Sequence, residues 1–200
     1  ASDQRQYGAN HEYVAQDLNN LANVYLMTAQ YPKARDMYAR ALAIYERVKG
    51  PTDEDVAMAL NNLGMVYNSL GEQRQAVAYY ERALKIWKQK YGPKHKTIAS
   101  TLGNLGTAHL ALGNLAEAER LYRESLEMRR AELGEKHPDV AESLMNLGTV
   151  FGDQRRYDEA ERLVTRAIAI WEPTVGKQHL QIVNALNTLG SMYYEQGRYA

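Results

Sequence analysis

Five residues spaced 42 positions apart, His11, Asp53, His95, His137 and His179, are of types that ligate metal ions. Ligands must converge within about 2 Å of one ion, whereas equivalent residues of a repeating array are strung out at about 10 Å or more. They are therefore read as loop or helix-capping residues, and no metal site is expected. The carboxylates Glu117, Glu119, Asp158 and Glu159 stand beside arginines on polar faces, which suits solvated surface better than general acid–base work. The chain has no cysteine, no Gly-x-Ser-x-Gly elbow, no His-Glu-x-x-His and no Gly-Lys-Ser/Thr phosphate loop. Gly103 and Gly106 lie inside a helical pattern rather than a phosphate cradle. No catalytic residue and no cofactor is expected, and the chain is not read as an enzyme.

A second set has chemistry of another kind. Asn20, Asn62, Asn104 and Asn146 share one register position, which Thr188 takes next. Asparagine is a poor helix-interior residue, so propensity does not account for its repetition. A carboxamide offers one acceptor and two donors, so a row of them can hydrogen-bond both the C=O and N–H groups of an extended backbone without reading its side chains. The competing reading, which does not exclude the first, is that these amides bridge neighbouring helices or face only water. The candidate peptide-binding residues are Asn20, Asn62, Asn104 and Asn146, the next register of the same stripe Asn23, Met65, Thr107 and Thr149, and the acidic Glu142 and Asp153.

The elements that must position these residues repeat without a gap. Leu21, Leu63, Leu105, Leu147 and Leu189 are successively 42 apart, as are Ala34, Ala76, Ala118 and Ala160. Within one unit Val14, Leu18, Leu21 and Tyr25 form the apolar stripe of an amphipathic helix, helix A, over about residues 12–28. A turn at residues 29–32 leads to helix B, about 32–48, with Ala34, Tyr38, Ala41, Leu42 and Tyr45 on its apolar side. Gly50, Gly92, Gly134 and Gly176 close the B helices. Trp87 and Trp171 replace Tyr45 and are expected in the core, and Pro173 is expected to kink the fourth helix B or end it early. The predicted organisation is a lead-in over 1–11 and an array over 12–200, with repeats of about 12–53, 54–95, 96–137, 138–179 and a partial 180–200. The predicted fold is all-α, a right-handed superhelical solenoid of four antiparallel helix hairpins and a fifth helix A. The alanine of a fifth helix B would fall at 202, beyond Ala200, so that helix A is expected to offer an uncapped face for end-to-end self-association.

The run Leu60-Asn-Asn-Leu-Gly64, followed by Tyr67, Gly71, Ala76, Tyr80 and Ala83, resembles the tetratricopeptide consensus, and the match recurs across 12–200. The ordinary member has a period of about 34 residues. The longer unit here, with Gly134-Glu-Lys-His-Pro-Asp-Val-Ala141 as its nearest segment, resembles the repeats of kinesin light chains and their bacterial relatives. The resemblance implies a protein–protein interaction scaffold whose A helices line a concave wall, with asparagine at the register of Asn20, Asn62, Asn104 and Asn146 contacting a bound peptide.

Charge narrows the partner. Lysine plus arginine and aspartate plus glutamate both total 24, so no global field favours nucleic acid or an anionic membrane. No apolar run approaches the roughly 18 residues of a membrane helix, and residues 1–10 contain no hydrophobic signal core. A cytoplasmic location is the corresponding expectation. The A helices contain almost no base, only Lys96 at a helix start, and they acquire Glu142, Asp153 and Glu195 late in the chain. A neutral or basic ligand is expected, unlike the acidic cargo of kinesin light chains. The alternative is an architectural or self-associating spacer of a larger protein, without a peptide ligand.

Overall fold

The computed structural model describes residue 8 and residues 10–198. Among these there are nine helices and no strands: α1 Glu12–Met27, α2 Tyr31–Lys49, α3 Glu54–Ser69, α4 Gln73–Tyr91, α5 Lys96–Ala111, α6 Leu115–Leu133, α7 Pro138–Asp153, α8 Tyr157–Val175 and α9 Leu180–Glu195. The odd-numbered elements are the A helices and the even-numbered ones the B helices.

The helix ends have identifiable chemistry. His11, Asp53, His137 and His179 are N-caps of α1, α3, α7 and α9, and each side chain accepts a hydrogen bond from the backbone N–H two residues on. His95 does the same for the Thr97 N–H at the start of α5. A cap acceptor satisfies one of the helix's orphan donors, so the 42-residue periodicity of these residues is a helix-start signal. At the other end, Gly50, Gly92, Gly134 and Gly176 all hold φ between +76° and +89°, where a Cβ would be strained.

Pro173 does not end α8, which runs to Val175 and has the same 19 residues as the other B helices. The expectation of an early end is thereby corrected. The proline lies in the last turn and is exposed, so the hydrogen bond it removes is one that water can replace.

The chain divides into two compact units, Ala1–Ala108 and His109–Ala200. In the first, Val56, Leu60, Leu63, Ile98, Leu102, Tyr38 and Tyr80 form a fully buried core. In the second, Val140, Leu144, Leu147, Val150 and Phe151 of α7 pack with Ala160, Val164 and Trp171 of α8 and with Ile182 and Leu189 of α9. The small residues allow this approach: Ala34, Ala76, Ala118 and Ala160 have no exposed surface at all. Trp171 is buried as expected, and its indole N–H donates to the Pro138 carbonyl at 3.2 Å.

Two positions depart from the periodic pattern. Leu21 and Leu186 are 42% and 53% exposed, although their counterparts Leu63 and Leu144 are buried. Leu144 lies in the buried cluster of the second unit.

Candidate functional site

In the first unit, Gln16, Asn19, Asn20 and Asn23 of α1 and Met58 of α3 line a depression of about 510 Å³. The i, i+4, i+7 spacing puts Gln16, Asn20 and Asn23 on one helix face. Asn20 is exposed, and Asn23 accepts a hydrogen bond from the hydroxyl of the buried Tyr38. Beside them Lys49 closes the end of the depression by reaching Glu12 at 3.1 Å and Asp55 at 2.5 Å. Its ammonium is held well above the ordinary lysine range by hydrogen bonds to Asp55 and Glu12, so it stays charged and neutralises much of their charge.

The next two asparagines are tied to their neighbours. Asn62 Nδ2 donates to Asn19 Oδ1 at 3.3 Å, and Asn104 Nδ2 donates to Asn61 Oδ1 at 3.4 Å. Thr101 Oγ1 donates to the same Asn61 oxygen. Each contact joins successive A helices and uses one of two amide donors, leaving the Asn62 and Asn104 carbonyl oxygens outside these bridges. Sequence reasoning weighed such bridging but did not identify Asn19 and Asn61 as its acceptors. The doublets Asn19-Asn20 and Asn61-Asn62 were the available signal. Met65 is half-buried, with Asn61 Nδ2 at 3.8 Å from its sulfur, while Thr107 is exposed and donates to the Gly103 carbonyl.

In the second unit Asn146 and Thr149 are half-buried on α7, and Thr149 donates to the Met145 carbonyl. Glu142 is not a bare negative charge. Arg129, from the preceding helix B, lies 3.4 Å from it and is itself buried, donating also to Ser143 Oγ at 2.9 Å and to the Asp139 carbonyl at 2.8 Å. A count of charges on the A helices alone overlooked this base because it comes from α6. Asp153 does carry exposed acidity. Burial first, then the charge of Glu195, pushes its carboxyl above the ordinary aspartate value. Glu195 in turn accepts from the Tyr157 hydroxyl at 2.9 Å.

No three histidine, aspartate or glutamate side chains are grouped to hold a metal ion among the described residues. The periodic histidines have the capping role given above. No described helix is long and apolar enough to cross a membrane.

The fold and this stripe define a helical-hairpin repeat protein of the kind that serves as an interaction scaffold. The family model "Tetratricopeptide repeat" matches residues 1–47, 18–89, 55–131, 97–172 and 139–200, and the chain belongs to that family. No curated protein sequence matches it significantly. Among solved structures, BtubC (BKLC) from P. vanneervenii is 27% identical with a TM-score of 0.73, covering 81% of this chain. The chain spans 65% of the BtubC chain. A putative kinesin light chain from Podosopora anserina with nearly identical TPR-like repeats is 20% identical, with a TM-score of 0.77 and coverage of 94% and 89% of the two chains. The apo form of RapI is 19% identical, with a TM-score of 0.75 and coverage of 92% and 65%. The last two likenesses are ones of fold.

Proposed function

We propose that this chain binds an extended segment of a protein partner, neutral or basic in character, on the polar stripe of its A helices. The observation that carries the reading is the depression of about 510 Å³ lined by Gln16, Asn19, Asn20 and Asn23. These carboxamides present donors and acceptors together and so suit a peptide backbone rather than one side-chain chemistry. Asn20, Asn62, Asn104 and Asn146 are the backbone-contacting residues, flanked by Asn23, Met65, Thr107 and Thr149. Neutralisation of Glu12 and Asp55 by Lys49 supports a ligand without a strong charge requirement at the first unit. Asp153 and Glu195 support basic residues at the second.

A random extended-peptide display library panned against the wild type and Asn20→Ala/Asn62→Ala tests this. Both proteins must first be shown equally helical and stable, because Asn62 also ties α3 to α1. Enrichment present with the wild type and lost in the variant is the expected result. Enrichment indifferent to the asparagines, or none at all, removes the proposal.

A second reading, self-association through α9, is favoured by the exposure of Leu180, Val183 and Leu186 on that helix. Sedimentation that depends on concentration in the wild type, and does not in Val183→Glu/Leu186→Glu, is its expected signature.

A further inference from the structure

The side of α7 opposite Asn146 and Asp153 holds a feature unrelated to the polar stripe. There a pocket of about 310 Å³ opens between α6 and α8. Its floor is apolar, made by Leu126, Leu147, Phe151 and Leu163, and arginines 123, 130 and 162 stand around it. The Phe151 ring is held by the Arg156 guanidinium 3.9 Å from its centroid and by that of Arg123 at 5.2 Å.

The equivalent slot two repeats earlier, in the first unit, is built differently. Tyr67 and Tyr79 stand where Phe151 and Leu163 do, and their rings stack with centroids 5.1 Å apart at 16°. The fold thus accommodates a second aromatic ring at this place, and in the second unit the chain does not supply it. Charge changes as well. Ala39, Glu46 and Ala78 become Arg123, Arg130 and Arg162, while Ala43 and Gln75 become Glu127 and Glu159. The first slot is near neutral and the second has surplus base.

The surplus can be assigned. Arg123 pairs with Glu119 at 2.8 Å, Arg130 with Glu127 at 3.0 Å, and Glu159 with Arg156 at 2.7 Å. Arg162 has no ion pair or hydrogen bond to a described residue, although its charge acts on Glu159, whereas Arg130 is held by Glu127 and, through Nε, by Glu135 at 3.3 Å. Guanidinium groups favour planar carboxylates, which they can bind through two parallel hydrogen bonds.

We propose that this pocket receives the C-terminal residue of a partner protein when that residue is aromatic. Its ring takes the place that Tyr79 fills in the first unit, and its α-carboxylate meets Arg162. One terminal residue supplies both the missing ring and the single anion that the unpaired arginine calls for.

The test uses the whole chain and three fluorescein-labelled probes. They are a Gly-Ser-Gly-Ser-Phe peptide with a free C-terminus, the same peptide amidated, and an amidated peptide with an internal Phe-Glu pair. The free acid is expected to bind at least about tenfold more tightly than the other two. Leu163→Tyr, which restores the ring of the first unit, should abolish binding. Arg162→Gln, at an exposed position that leaves the core untouched, should erase the preference for the free acid. Asn20→Ala should leave the preference for the free acid as it is, which separates this pocket from the polar stripe. Equal binding of acid and amide, tighter binding of the internal Phe-Glu peptide, no saturable binding, or binding that survives Leu163→Tyr would each overturn the assignment.

Discussion

Arg129 shows how one residue can carry both packing and site electrostatics. It is a buried guanidinium whose donors meet the Asp139 carbonyl, Ser143 Oγ and Glu142. Truncation leaves Ser143 buried with less company and releases the charge of Glu142. Arg129→Ala is expected to destabilise the second unit by about 2–3 kcal/mol in urea unfolding. Glycine positions inside helices give a paired contrast. A Cβ on Gly148 would lie 2.7 Å from Val164 Cγ2, which is stiff and fully buried, whereas one on Gly190 would meet nothing within 4 Å. Gly148→Ala should cost about 1–3 kcal/mol through overpacking, while Gly190→Ala should gain about 0.5–1 kcal/mol from helix propensity, both read from thermal melts. Asp153 gives a pH dependence. Its carboxyl is pushed up in the folded chain, so its ionised form weakens folding. That penalty is absent at pH below the ordinary aspartate value and grows as pH rises through it. Asp153→Asn should therefore raise Tm near pH 7 and leave it unchanged near pH 3.

At the scale of the helix, the period of 42 residues is a packing constraint repeated along the chain. Each A helix begins at a side-chain cap and each B helix ends at a glycine in the left-handed region. Between them, the alanine near the start of every B helix has no exposed surface, because the two helices of a hairpin meet there. Ala76→Leu is expected to destabilise the first unit by about 1–3 kcal/mol, measured by denaturant unfolding, with helicity otherwise retained. These signals were legible because they are local: a cap, a glycine and an apolar stripe depend on nearest neighbours along the chain. Pro173 was misread for a related reason. Its cost depends on where in the helix it falls and on whether water reaches the freed carbonyl, and the last exposed turn is the least demanding place for it.

For the molecule as a whole, equal numbers of acidic and basic residues leave local charge to decide partner choice. Acidity on the A helices is partly cancelled, at Glu12 and Asp55 by Lys49 and at Glu142 by Arg129. Lys-rich extended peptides are expected to bind more tightly than Glu-rich ones, with the difference shrinking as salt rises from about 0.05 to 0.5 M. Preference for the Glu-rich peptide in fluorescence anisotropy would reverse that reading.

The sequence by itself determined the helices, their hairpin pairing and the family, because each follows from short-range periodicity that survives forty-two residues at a time. It also placed the asparagines on one register. Only the tertiary structure decided that Asn62 and Asn104 reach back to Asn19 and Asn61, that a base from α6 lies against Glu142, and that Tyr79 stacks on Tyr67 in one unit while a pocket opens beside Leu163 in the other. Those are contacts between helices. Their geometry depends on side-chain reach and on the volume left over after packing, neither of which is written in the spacing of residues along one helix.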